Sequence, residues 1–523
     1  MKNILFALIL FTTLSSCKKG TEKVESVQEE FSYSQEYQPA VFAEDTRAKG
    51  IKVLSDELHQ LIVEHSKEEH IPGIAYGVVV DKELVLASAT GVMNLEEDIP
   101  ASTNAAFRIA SMTKSFTAMA IMKLRDEGKL SFSDPVSDYI PEMSGIIRLT
   151  SDSPEITIKN LLTMTAGFPE DNPWGDRQLD ESDKMLTELM QSGPSLSNPP
   201  SYTYEYSNTG YALLGAIIGK VSGKPYQEYI RQEIFLPLGM DQTYWEIDKV
   251  PEGQLAIGYR WEDEKWKLEP MLHDGSYGAM GGLITSIEDF SKYVSFHLSA
   301  WPPRSDADEG PIKRSSLREM HTPQFSRLYP NAEDFNGDPC AVMNGYGFGL
   351  GIRQDCNGRV QVSHGGALPG FGSNYVFFPE YGVGLMAFGN LTYTSPWPLD
   401  KIVKLLFEKA ALKPRSLPVS NILKKRQEQL TELIQEWDMD LGNQILAENF
   451  FMDKSRNHRM EAWAEIWKQA GTIDSVSEFT PYNQLRGDYS IYTKKGTVRV
   501  AFTLSPEHDP RIQQLEKMFV EGN

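Results

Sequence analysis

Between Ser111 and Leu124 the chain places Met112, Phe116, Met119, Ala120 and Met122 at helical spacing, with no Gly or Pro before Gly128. That run predicts an amphipathic helix with Ser111 in its first turn. Lys114 projects from the same face as Ser111, because side chains three or four apart on a helix are neighbours. A serine so placed has an amine within reach of its proton and unpaired backbone N–H groups nearby to receive a developing oxyanion. The Ser-x-x-Lys spacing also occurs at Ser15 to Lys18 and at Ser16 to Lys19. Its meaning therefore depends on companions elsewhere in the chain.

At 523 residues the chain exceeds the size at which a single core stops growing, so a large catalytic domain plus at least one further unit is expected. The formal net charge of −21 argues against nucleic acid as a partner, since that binding rests on phosphate neutralisation by Lys and Arg. Small or cationic substrates stay open. Lys2, an apolar run over residues 4–14 and the small residues Leu14-Ser15-Ser16-Cys17 read as a leader, residues 1–17, too short to span a bilayer. Leu-Ser-Ser-Cys resembles a bacterial lipobox, which implies export, a lipid on Cys17 and attachment to the cell envelope. An ordinary secretory leader is the alternative. Residues 18–45 are polar and suit a flexible tether. Beyond the leader only Cys340 and Cys356 remain, and a disulfide or two free thiols both fit.

Taken in order, residues 51–66 predict a helix, and residues 71–80 and 83–89 a hairpin turning at Asp81-Lys82. Residues 156–166 predict a helix capped by Gly167, followed by loop to about residue 200. Tyr206 and Asn208 fall on a loop just before an apolar helix over residues 211–218, and loops held by rigid elements tend to carry functional groups. Residues 278–283 are Gly-rich, a helix begins near Ser286, and residues 301–335 read as a surface excursion. Strands are predicted over residues 345–353, 359–363, 373–379 and 383–390, with His364-Gly365-Gly366 on a sheet edge. A helix over residues 399–412 closes this domain. Strands from both ends of one domain with helices on and between them make an α+β plan. Residues 413–418 read as a linker, and residues 419–523 as a small C-terminal α+β accessory domain.

Ser111-x-x-Lys114, Tyr206-Ser207-Asn208 and His364-Gly365-Gly366 thus stand in that order, flanked by the runs 107–114, 161–167 and 206–215. With these motifs the chain resembles the serine penicillin-recognising superfamily, in its class C β-lactamase, DD-peptidase and esterase branch, over about residues 50–412. Tyr329-Pro330-Asn331 also matches Tyr-x-Asn, but no apolar helix follows it. The resemblance implies a β-lactamase/transpeptidase-like antiparallel sheet flanked by helices, plus a helical subdomain, within residues 46–412. It implies that Ser111 attacks a carbonyl to give an acyl-enzyme, that Tyr206 and Lys114 share the proton handling with either able to act as base, and that Asn208 orients Lys114 and the substrate amide. The backbone N–H groups of Ser111 and Ala367 would form the oxyanion hole, with Gly365 and Gly366 along the substrate. No metal or cofactor is implied, and the partner is a small-molecule or peptide substrate. Oligomeric state is not legible.

The third motif departs from the Lys-Thr-Gly of true β-lactamases. A histidine with a reference pKa of about 6.5 anchors a carboxylate less well than a lysine does. His-x-Gly is typical of the peptidase, D-aminopeptidase and esterase members, so an exported serine hydrolase of that kind is expected. A β-lactamase, or a penicillin-binding sensor that acylates without turnover, is the alternative. On an anionic substrate, acylation is expected to weaken as pH rises through the His364 titration.

Overall fold

The structure, a computed structural model, describes residues 37–522; Cys17 and the rest of the leader lie outside the described residues. The chain divides into two compact units, one spanning Pro39–Pro418 and one containing Val419–Asn523.

The larger unit is built on nine antiparallel strands: β1 (Gly73–Val80), β2 (Glu83–Asn94), β3 (Ile99–Pro100), β4 (Phe325–Glu333), β5 (Pro339–Tyr346), β6 (Gly351–Gln354), β7 (Val360–Leu368), β8 (Phe371–Phe378) and β9 (Val383–Gly389). Their order across the sheet is β3-β2-β1-β9-β8-β7-β6-β5-β4. The first strand therefore pairs with the last, from Ile74↔Gly389 to Val80↔Val383. Every residue of β1 is buried because both of its faces are covered. Ala75 and Val79 point into one core cluster and Ile74, Tyr76, Val78 and Val80 into another, as the two-residue period of a strand requires.

Helix α1 (Ser55–Glu68) and the helix Leu399–Lys409 supply the second cluster. The first cluster holds the helical subdomain, including α2 (Thr113–Asp126) and α3 (Asn208–Ser222), and the helix Ile287–Ser299 against the sheet. The helix expected after Ser111 is present as α2, but it is more enclosed than an amphipathic helix. Every residue from Thr113 to Met122 is buried, because α2 packs against α3, the Gly278–Gly281 turn and the Ser111 turn on different sides. Its polar side chains are satisfied internally, Ser115 Oγ by Met112 O at 2.9 Å and Thr117 Oγ1 by Ala279 O at 2.6 Å, as buried hydroxyls require. The Phe116 ring stacks on Tyr293 at 3.7 Å and meets Phe235 edge-on at 5.6 Å.

Several local expectations are corrected. Residues 156–166 are helical only over Ile158–Leu162, opened by a Thr157–Asn160 capping box and capped at Thr163 rather than at Gly167. Residues 301–335 are not a mere surface excursion: they contain the helix Arg314–Met320 and the edge strand β4. Residues 345–353 do not form one strand, because the chain dips inward between β5 and β6. Gly349 there has a positive φ of 71°, and a Cβ on it would lie 2.9 Å from the carbonyl oxygen of Lys114. Residues 413–418 are tied down: Arg415 Nη2 pairs with Asp81 at 2.6 Å, and Ser416 bridges Val41 at the end of the supposed tether. Cys340 and Cys356 are joined in a disulfide.

The second unit carries the helices Asn421–Glu436 and Arg456–Ala470 and a five-stranded antiparallel sheet. Its final strand is Ile512–Glu521. Trp463, Tyr489, Val500 and Phe502 lie in a core of its own.

Phe116→Ala should destabilise the larger unit by about 3–5 kcal/mol, the cost of emptying a fully packed aromatic site. Chemical denaturation followed by tryptophan fluorescence reads this as a lower midpoint at unchanged slope.

Candidate active site

Ser111 sits in a 3-10 turn, Ala110–Met112, that leads into α2, not in the first turn of the α-helix itself. Ala110 before it holds φ at 49°, a left-handed conformation that costs a non-glycine residue roughly 1–2 kcal/mol. The turn is held from the sheet side, where Ser373 Oγ donates to Ile109 O at 2.7 Å. A Cβ on Gly366 would lie 2.2 Å from that same oxygen, so only glycine lets β7 come this close. His364, Gly365 and Gly366 lie inside β7 rather than after it. They still form a local edge, because pairing with β6 ends at Ser363 while pairing with β8 continues to Leu368.

Lys114 is fully buried. Its Nζ donates to Ser111 Oγ at 2.9 Å, Asn208 Oδ1 at 2.7 Å and Met280 O at 2.9 Å. Burial pulls its ammonium down to about 7, against a partial restoring effect of Asp176 and Asp171. Asn208 is the first residue of α3 rather than part of the preceding loop, with Ser207 Oγ capping that helix through Gly210 N. The Asp171 carboxylate receives Asn208 N at 2.6 Å, Thr209 N at 2.8 Å and Thr209 Oγ1 at 2.8 Å. It thereby meets the N–H groups that a helix start leaves without partners. Asn208 Nδ2 donates to Asn172 at 2.6 Å, which turns its Oδ1 toward the lysine.

Tyr206 lies over the amine, with Nζ 4.9 Å from the ring centroid. The cation faces the ring instead of the hydroxyl, so it does not favour a phenolate. Burial holds the phenol well above its ordinary range, opposed mainly by a hydrogen bond with Ser111. His364 accepts at Nε2 from the Tyr346 hydroxyl at 3.3 Å, and its Nδ1 lies 2.5 Å from Gly365 O. Burial and the nearby Lys114 push its pKa down to about 4. The titration expected near neutrality is therefore displaced: the imidazole is neutral throughout the physiological range.

Ser111, Tyr206, His364, Gly365, Gly366 and Ala367 line one cleft of about 560 Å³ together with Asp176. A second lobe of about 440 Å³, walled by Tyr204, Phe325, Arg327 and Tyr346, shares Tyr206, His364 and Gly365 with it. Tyr329 of the other Tyr-x-Asn triplet lines only that second lobe.

The family model described as Beta-lactamase matches residues 58–408. The chain belongs to the Beta-lactamase family. Protein flp from Staphylococcus aureus strain MW2 is 28% identical over 386 residues, which cover 72% of this chain and 71% of that protein. A penicillin-binding protein from Bacillus halodurans is 25% identical, with a TM-score of 0.51 over 66% of this chain and 98% of its own. The octameric penicillin-binding protein homologue from Pyrococcus abyssi shares the fold at 23% identity, with a TM-score of 0.56 over 89% of this chain and 96% of its own. This Beta-lactamase family member thus brings Ser111, Lys114, Tyr206, Asn208 and His364 around one cleft.

Sequence reasoning missed Met280, whose carbonyl completes the lysine's partners, and Asp171, Asn172 and Asp176. The Gly-rich run over residues 278–283 was a signal for Met280, because small residues mark a close backbone approach. Residues 170–176 read only as polar loop.

Gly366→Ala should slow acylation by about 10²-fold or more, since a displacement near 1 Å at the reacting centre has that effect. The rate of fluorophosphonate labelling, compared with wild type at equal folded fraction, checks it.

Proposed function

We propose that this protein is a serine hydrolase that cleaves an amide or ester bond through an acyl-enzyme on Ser111, of the peptidase, D-aminopeptidase or esterase type. The observation that carries the reading is the Lys114 amine, buried and 2.9 Å from Ser111 Oγ, with its other short hydrogen bonds going to two carbonyl oxygens and a longer contact to Met280 Sδ at 3.8 Å. Asn208 Oδ1 and Met280 O can only accept. Once neutral, the amine gives both N–H groups to them, and its lone pair is left facing the serine hydroxyl.

The proton accounting follows. Ser111 Oγ attacks the carbonyl carbon while its proton passes to Lys114 Nζ. The backbone N–H groups of Ser111 and Ala367 take the oxyanion. Lys114 Nζ gives the proton it took from Ser111 to the leaving group as that bond breaks, while the Tyr206 phenol, protonated because it is buried, stays as a hydrogen-bond partner at Ser111. Water then attacks the acyl carbonyl carbon while its proton passes to Lys114 Nζ, and Lys114 returns that proton to Ser111 Oγ as the C–Oγ bond breaks and the acid leaves. A lysine held at about 7 suits the base better than a phenol raised far above that, which supports Lys114 over Tyr206 as the base. Neutral His364 supplies no fixed charge for a substrate carboxylate, which supports peptidase or esterase chemistry over β-lactam hydrolysis. Export and a lipid on Cys17 are part of the proposal, supported by Leu14-Ser15-Ser16-Cys17.

Wild type should be labelled by a fluorophosphonate and turn over p-nitrophenyl esters, while Ser111→Ala does neither. Stable labelling without turnover of any ester, aminoacyl peptide or β-lactam would favour the sensor. On a neutral ester, kcat/KM should rise with pH through about 7 as Lys114 loses its proton. His364→Asn should keep that acidic limb in place, because the His364 transition lies at about 4.

A further inference from the structure

We infer that the Asp176 carboxylate receives an ammonium group of the substrate, so that the cleft selects acyl donors bearing a protonated amine beside the scissile carbonyl. The inference rests on the acyl-transfer reading and names the substrate class for it.

Asp176 sits on the short Gly175–Arg177 turn and is only 2% exposed, yet it lines the same cleft as Ser111 and Tyr206. Its Oδ1 is buried without a hydrogen-bond partner among the described residues. The next residue, Arg177, does not serve it, turning instead to Glu269 at 3.8 Å. Nearby acids are already engaged. Asp171 caps α3, and Glu205 receives Glu170 N and the Ser197 hydroxyl.

Asp176 accepts a hydrogen bond from the Tyr393 hydroxyl and feels the charge of Lys114, but among the described residues it forms no close ion pair, and a ligand cation would supply one where a buried carboxylate is costly. The groups that face it are Lys114 from α2, Asp171 and Glu170 from its own loop, and the Tyr393 hydroxyl from the loop after β9. Burial raises its carboxyl to about 6, with Lys114 the strongest opposing influence, so it is mostly ionised at neutral pH. Asp176 is the one acid in the lining of this cleft, which holds no Lys or Arg. With His364 neutral, the charged side chain that lines this lobe is Asp176, which would repel a substrate carboxylate. A substrate ammonium would meet opposite charge in a partly dry site, where a charge-assisted hydrogen bond is strongest.

The test uses three anilides sharing one leaving group: alanine p-nitroanilide, its N-acetyl derivative and propionyl p-nitroanilide, the first two in both enantiomers. Wild type at pH 7 should prefer at least one free-amine enantiomer over both neutral acyl groups by roughly tenfold or more in kcat/KM, the scale of one hydrogen bond to a charged group. In Asp176→Asn that ratio should fall to about threefold or less, and the ratio divides out any loss shared by all substrates. The preference should grow as pH rises past about 6, where Asp176 ionises, and fade near 8 as the amine loses its proton. No amine preference in wild type, which needs no variant to observe, would overturn the inference; so would a preference that survives in Asp176→Asn, or an equal loss on all substrates, which would make Asp176 a positioning residue for Lys114. Fluorophosphonate labelling of Ser111 with turnover of the neutral anilides would then leave the hydrolase reading standing. Neither labelling nor turnover would remove that reading and the inference with it.

Discussion

The burial of one amine organises the larger unit. Lys114 is fully enclosed, and the enclosure is what brings its ammonium to about 7 from an ordinary 10.5. Desolvation disfavours the charged form, and two carboxylates nearby limit the effect. The fold must then provide acceptors for the N–H groups, and it draws them from two separate elements, Asn208 at the start of α3 and the Met280 carbonyl in the Gly-rich turn. Between about pH 7 and the ordinary lysine range the unfolded chain binds more protons at this residue than the folded one. The contribution of Lys114 to stability therefore rises with pH across that window and is a constant penalty below it. A buried lysine of this kind lowers stability, and its shifted titration marks it as a candidate functional group.

Much of the site was legible in the sequence, because its chemistry resides in short motifs on elements of strong local signal. Ser111 and Lys114 lie on one run without helix breakers, and Tyr206 and Asn208 precede an apolar helix. What escaped was whatever depends on tertiary packing. Helix α2 looked amphipathic because its polar residues recur, yet Ser115 and Thr117 are buried and bonded. No single-sequence pattern distinguishes a hydroxyl facing water from one facing a carbonyl. The strand predicted over residues 345–353 breaks because Gly349 presses on the Lys114 carbonyl, a contact between segments far apart in the chain. Asp171 and Asp176 were read as loop polarity, since acids near turns are common and their targets, the start of α3 and the cleft, become visible only in three dimensions. The disulfide between Cys340 and Cys356 was one of two outcomes that the cysteine count allowed.

The electrostatics of the cleft follow from the same packing. A lysine at position 364 would place another amine close to Lys114 and push Lys114 still further toward neutrality. The imidazole present there avoids this, since the field of Lys114 and its own burial keep it uncharged. Its ring is fixed on both sides, by Tyr346 and by the backbone of Gly365. His364 thus acts as a shaped neutral wall shared by the two lobes, with Asp176 the charged residue on one side of it and Arg327 on the other.

The pairing of β1 with β9 has a consequence for how the molecule comes into being. The ribosome delivers Ser111 and Lys114 long before it delivers residues 383–389, and until those arrive the first strand has no neighbour on its inner side. Sheets that join distant segments are slow to form and leave apolar strands open in the meantime. The nascent chain therefore carries Ser111 and Lys114 without the scaffold that positions them until residues 383–389 have been made.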